Sequence, residues 1–316
     1  MSQRVKHLII YLVVMVGLTI VRIAVNEGFL GGNEIAIDNI FTLVTQILCM
    51  GLIPILGMYF VNKSDGLGEI KGKLNIKKPI KGSWWCIALI AVLHIIIIGG
   101  VSTVWSMALD IIGYTRVVSD GTLIYTVGQL LFALLMSAIL PAVFEEITHR
   151  GLVLYSTTGN THKRALISAL TFALMHQNVT QTGYTFVGGL IMAYCVLYTG
   201  SILPGIIIHF VNNALVQIRL FSSANDGFVA KIFDFIYSNM DKWWFFIILT
   251  IIWVGAVVGV YFIIKHLKNK SESADICCSE VEVEKEDSTV SKWLWIAIIA
   301  FGVITTLFSL IWGLIR

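Results

Sequence analysis

Nine long apolar runs dominate this chain and leave it little choice of fold. They cover roughly 8–26, 37–61, 83–109, 122–156, 164–180, 184–199, 201–218, 242–266 and 292–315. A helix that crosses a bilayer needs about 20 mostly apolar residues, and most of these runs reach that length. The sequence is 57% hydrophobic and 13% charged, whereas soluble domains carry about 25% charge. A core built from 316 residues could not hide this much apolar surface, so most of it must face lipid. That excludes a soluble enzyme, nucleic-acid binding through a basic surface, and intrinsic disorder. The expected fold is an all-α polytopic transmembrane helical bundle of about 8–9 spans.

Individual runs add detail. The N-terminal run follows Arg4 and Lys6, as a signal peptide would, but Arg22 and Asn26 come after it without a small-residue cleavage site. It reads as a retained first helix. The fourth run exceeds one crossing and contains Pro141, which predicts a tilted or kinked helix. Gly200 to Pro204 separates the short sixth and seventh runs and suggests a helical hairpin. Gly255 and Gly259 form a small-xxx-small pair able to seat a neighbouring helix.

Loop charge orients the chain, while the net charge of +3 says little by itself. The 62–82 loop holds Lys63, Lys71, Lys73, Lys77, Lys78 and Lys81 against Asp65 and Glu69. His162, Lys163 and Arg164, and later Lys265, Lys268 and Lys270, fall on the same side of the alternation. The 27–36 loop carries Glu27 and Glu34 with no Lys or Arg. The positive-inside rule therefore predicts a cytoplasmic N-terminus, with an odd number of crossings taking the C-terminus outside. The chain divides into N-terminal spans with a basic loop (1–121), a core (122–218), a further span (219–268), an acidic cytoplasmic linker (269–291) and a last span (292–316). Cys49, Cys86 and Cys195 lie singly in apolar runs, and the adjacent Cys277 and Cys278 fall in the linker. No disulfide framework or zinc knuckle is implied, although the linker pair could accept a palmitoyl group.

Ionisable groups inside spans are costly and point to function. They gather in three places: Glu145-Glu146-Ile147-Thr148-His149-Arg150, Phe172 to His176, and His209 with Asn212 and Asn213. Glu146 and Arg150 are four apart and can pair on one helix face. Glu145 points about 100° away, free for general-base work. Phe172 and His176 share a face, as do His209 and Asn213. Counted at about 1.5 Å per residue, Glu145 lies ~18 Å, His176 ~18 Å and His209 ~12 Å from flanks that all read as cytoplasmic. Three helices therefore bring polar groups to similar depth.

Such a set suits water activation. Glu145 could take the proton of a water that His176 orients, while His209 and Asn213 stabilise an oxyanion. Alternatively Glu145, Glu146, His176 and His209 could hold zinc or another divalent metal. HExxH is absent, and Glu146-x-x-His149 has no second copy for a di-iron site.

With these motifs the sequence resembles the CPBP family of intramembrane proteases, also called the CAAX-protease and bacteriocin-processing or ABI family. Its marks are EExxxR, FxxxH and HxxxN on successive helices, here Glu145-Glu146-x-x-x-Arg150, Phe172-x-x-x-His176 and His209-x-x-x-Asn213. The resemblance implies a membrane-embedded endopeptidase, metallo- or glutamate-type. Glu145 would be the base, supported by Glu146 and Arg150. His176 would orient water or bind metal, and His209 and Asn213 would form the oxyanion site. Thr148-His149 depart from the apolar–aromatic pair that relatives commonly carry before Arg-Gly, and Asn178 adds a polar group near His176. The implied partners are the lipid bilayer and a peptide or membrane-protein substrate, in a bacterial plasma membrane. A non-catalytic scaffold or a bacteriocin-immunity protein of the same fold is the alternative. A proton-relay transporter ranks third, because no matching pair of broken helices precedes residue 110.

Overall fold

A computed structural model describes residues 2–26, 40–61, 72, 74–115, 123–274 and 288–315. Ten helices account for the described fold, and no strand occurs among the described residues. They are α1 (Gln3–Asn26), α2 (Ile40–Val61), α3 (Trp84–Ile111), α4 (Val127–Ser156), α5 (Thr161–Met175), α6 (Val179–Thr199), α7 (Leu203–Ala224), α8 (Phe228–Tyr237), α9 (Trp243–Ser273) and α10 (Ser288–Leu314). Eight of them, all but α5 and α8, are long and apolar enough to cross a membrane. The protein is an all-α polytopic bundle.

Local chemistry sets the helix ends. Thr126 and Gln129 form a reciprocal capping box at the start of α4. Asn160 caps α5 by accepting from the Lys163 N–H at 2.9 Å, and Asn178 caps α6 by accepting from the Thr180 N–H at 3.0 Å. Asn178 thus serves the α6 terminus. Gly200, at φ 64°, closes α6 in the left-handed region, and Pro204 opens α7 within its first turn. The expected hairpin forms, but both arms are longer than the apolar runs implied: α6 has 21 residues and α7 has 22.

α4 is the irregular helix. It is π-helical over Leu135–Ile139, α-helical over Leu140–Glu146 with Pro141 near its start, and π-helical again over Ile147–Val153. Proline lacks the N–H that an α turn requires, and the wider turn before it accommodates the loss. α2 carries a facing π stretch, Val44–Leu52. The fifth apolar run ends earlier than its composition suggested, at Met175, followed by a tight turn in which Gln177 has φ 48°.

α6 is central and packs against α3, α5, α7, α9 and α10. The core around it includes Cys86, Ile90, Phe172, Met192, Cys195, Ile208 and Val260. Facing outward are large apolar side chains such as Val104, Ile251, Phe262 and Phe308, as a lipid solvent requires. Gly259 of α9 seats Leu93 of α3, whereas Gly255 faces open space. The expected acidic linker begins inside a helix, since α9 continues to Ser273 with Lys268 and Glu272 paired at 3.8 Å. Residues 288–291 of that linker already belong to α10, while 275–287, including Cys277 and Cys278, lie outside the described residues, as do the 27–36 loop and most charges of the 62–82 loop.

Candidate active site

The two adjacent carboxylates meet different surroundings. Glu146 is fully buried. Its Oε1 accepts from Arg150 Nη1 at 2.9 Å and lies 3.3 Å from His209 Nδ1. Arg150, also fully buried, donates through Nη2 to the Gly189 carbonyl at 3.1 Å and stacks its guanidinium 4.5 Å above the Phe172 ring. A charge pair removed from water needs further partners to persist; α6 and α5 supply two of them here, while Glu146 Oε2 and Arg150 Nε are buried without a hydrogen bond. Gly205 of α7 makes the close approach possible, since a Cβ there would collide with Glu146 Oε2.

Glu145 keeps a narrow exposure, about 6%. Its Oε1 accepts from Gln46 Nε2 of α2 at 2.8 Å, and its Oε2 faces His209 Nε2 across 3.9 Å. That gap exceeds a direct hydrogen bond and invites a bridging water. His209 therefore stands between the two carboxylates, bonded to one and separated from the other.

His176 reaches the centre differently. It caps α5 and donates from Nδ1 to the Phe172 carbonyl at 2.8 Å. A carbonyl only accepts, so the proton sits on Nδ1 and Nε2 presents a lone pair. The following turn is tied to three other helices. Arg22 of α1 donates to the Gln177 carbonyl at 2.9 Å, Trp105 of α3 donates to the Val179 carbonyl at 2.7 Å, and the Val179 N–H donates to Ser309 Oγ of α10 at 3.3 Å. His176 lies within electrostatic reach of Glu145 and His209.

Phe172 joins these groups. Its ring meets His149, His176 and His209 edge-on at 5.0, 5.0 and 5.8 Å. His149 itself is fully buried, with Nε2 against Met175 Sδ at 3.0 Å and its ring against Tyr11. It packs behind the centre, and Thr148 donates to the Met50 carbonyl of α2 at 2.9 Å.

Of the six residues singled out from sequence, Glu145, Glu146, Arg150 and His209 come into direct contact, and His176 joins through Phe172. Asn213 stands one turn beyond His209 and accepts from Asn212 at 3.2 Å, with no hydrogen bond to the other five. Its own amide N–H groups remain as donors. Gln46 was not singled out, although it is the one amide between Ile40 and Val61. An isolated glutamine in an apolar run was the available signal.

Donor geometry bears on metal binding. Glu146 Oε1 is committed to Arg150 and His209, and His209 directs both nitrogens at carboxylates. No group of three or more His, Cys, Asp or Glu side chains among the described residues is arranged to hold a metal ion. As they stand, these side chains form an ion-pair network.

An apolar cleft of about 260 Å³ adjoins the centre, lined by Ile139, Ala142, Val143, Ile206 and Phe210. Ala142 and Val143 lie three residues before the paired glutamates, and Ile206 lies three before His209. The cleft opens between α4 and α7 one turn away from the carboxylates.

Residues 127–215 match the family model described as Type II CAAX prenyl endopeptidase Rce1-like. That segment holds all six motif residues and is similar to the CPBP/CAAX protease family. Comparisons with curated proteins and with solved structures return no match.

Proposed function

We propose that the protein is an intramembrane endopeptidase in which Glu145 activates water. The observation that carries this reading is the unequal placement of the two glutamates. Glu146 is locked by Arg150 and His209, while Glu145 faces His209 across 3.9 Å. A water in that gap gives one proton to Glu145 Oε2 and bonds through oxygen to the scissile carbonyl carbon. The lone pair on His176 Nε2 accepts the water's other hydrogen and sets its direction. The carbonyl oxygen takes up the negative charge, stabilised by donors from His209 and Asn213. Donation from His209 Nε2 requires the imidazolium, because Nδ1–H is given to Glu146. Two carboxylates, Arg150 and that imidazolium then balance in charge. The proton held on Glu145 passes to the amide nitrogen as the C–N bond breaks, and the carboxylate is restored.

The apolar cleft supplies a route from the lipid side for substrates already resident in the membrane. Peptides or protein termini held at the bilayer are the fitting class, reached from the cytoplasmic half of a bacterial plasma membrane with the N-terminus inside. The test is cleavage of membrane-anchored peptides by purified protein in liposomes, comparing wild type with Glu145→Gln and His176→Ala. Loss of cleavage in both variants supports the reading. Unchanged cleavage in Glu145→Gln would overturn the role given to Glu145, and no cleavage by wild type would favour a non-catalytic scaffold.

A further inference from the structure

Gln46 belongs to α2, outside the segment that matches the protease family, yet it makes the shortest polar contact to Glu145. The direction of that bond is fixed, since an ionised carboxylate only accepts and the amide nitrogen must therefore donate. The other end of the same amide is unsatisfied: Gln46 Oε1 is buried and has no hydrogen-bond partner. An unpaired buried amide oxygen is costly, and one on an amide bonded to Glu145 needs an explanation.

The helix that carries Gln46 is fitted to α4 next to Glu145. One residue before Glu145, the Phe144 ring fills the space left by Gly51, where a Cβ would meet it at 3.1 Å. Three residues after Glu145, Thr148 donates to the Met50 carbonyl. α2 and α4 are thus fitted together about one turn along α2 from the Gln46–Glu145 bond.

We propose that Gln46 bridges base and substrate, resting on the endopeptidase reading above. Its Nε2 holds Glu145 Oε1 still, so that Oε2 is the oxygen turned toward the water. Its Oε1 accepts a backbone N–H of the bound peptide. A peptide that enters from lipid brings N–H groups that must find acceptors inside the bilayer, and this orphaned oxygen is one. The chemical class recognised is a secondary amide with a free N–H beside the scissile bond.

The test is a matrix of proteins and substrates in liposomes. The proteins are wild type, Gln46→Met, Glu145→Gln and the double variant, and the substrates are one cleaved peptide and its analogues N-methylated one position at a time. Methionine keeps the length of glutamine without its hydrogen bonds, so a packing role would survive. We expect Gln46→Met to lower kcat/KM about ten- to hundredfold with an unchanged melting temperature. One N-methyl position should impair wild type about tenfold and Gln46→Met no further. Full activity in Gln46→Met beside an inactive Glu145→Gln would overturn this inference alone. So would equal N-methyl penalties in both proteins at every position. Wild-type cleavage by Glu145→Gln would instead bring down the endopeptidase reading, and the inference with it.

Discussion

α6 and α9 are both long enough to span a bilayer, but they live in different solvents. The most apolar window of α6 has a mean hydropathy of 1.2 and is 61% buried in protein, while that of α9 reaches 2.7 and is 17% buried. The less apolar helix lies inside. In water the reverse would hold, because burial there is driven by removing apolar surface from solvent. In lipid the greasiest helix gains nothing from the interior, and small or polar residues gain close packing and partners. α6 presents Gly189, whose carbonyl meets Arg150, along one face, while α9 turns Ile251, Tyr261 and Phe262 outward.

The sharpest way to break this comparison is at Glu145, the carboxylate that keeps a narrow exposure. Glu145→Gln should lower kcat by about 10²–10⁴-fold, as expected for losing a general base, with the fold intact by circular dichroism. Arg150→Leu should destabilise the protein by about 3–5 kcal/mol, because it leaves buried Glu146 uncompensated. Reversible denaturation in detergent measures this loss. Arg150→Lys should recover only part of it, since a single ammonium cannot hold Glu146 and Gly189 and also stack on Phe172. The paired glycine test comes next. Gly205→Ala drives a methyl into Glu146 and should abolish most cleavage, while Gly255→Ala on α9 meets open space and should change stability by less than about 0.5 kcal/mol. Equal effects at the two glycines would mean that inside and outside are wrongly drawn. Last, prolonged chelation should leave the cleavage rate unchanged. A loss restored by zinc would show that the ion-pair network rearranges into a metal shell.

Much of this division was legible from residue order. Eight of the nine apolar runs overlap the eight helices long enough to cross a membrane, while the fifth, read as a span, forms the shorter α5; i, i+4 spacing placed Arg150 on Glu146 and Phe172 under His176. Contacts inside one helix follow from its pitch, so they can be read without tertiary knowledge. Contacts between helices do not. Nothing in the spacing could set His209 between two carboxylates or bring Gln46 to Glu145 across 99 positions. The π-helical stretches were equally hidden, since a wider turn leaves composition unchanged. α5 fell short of its apolar run because backbone geometry at Gln177 and the Asn178 cap ended it, and hydropathy is blind to both. α9 outran its run for the opposite reason: charged residues leave the membrane without ending a helix.

The π-helical stretch after Glu146 bears on how this chain can change length. A π turn closes from i to i+5 where an α turn closes from i to i+4, so Ile147–Val153 stores surplus chain. Losing one residue there lets the helix tighten to α pitch with both flanks continuous. Losing one from Leu140–Glu146 would swing everything beyond it by about 100°. Tolerance to deletion is therefore confined to the part of that stretch after Arg150, which must stay four residues from Glu146.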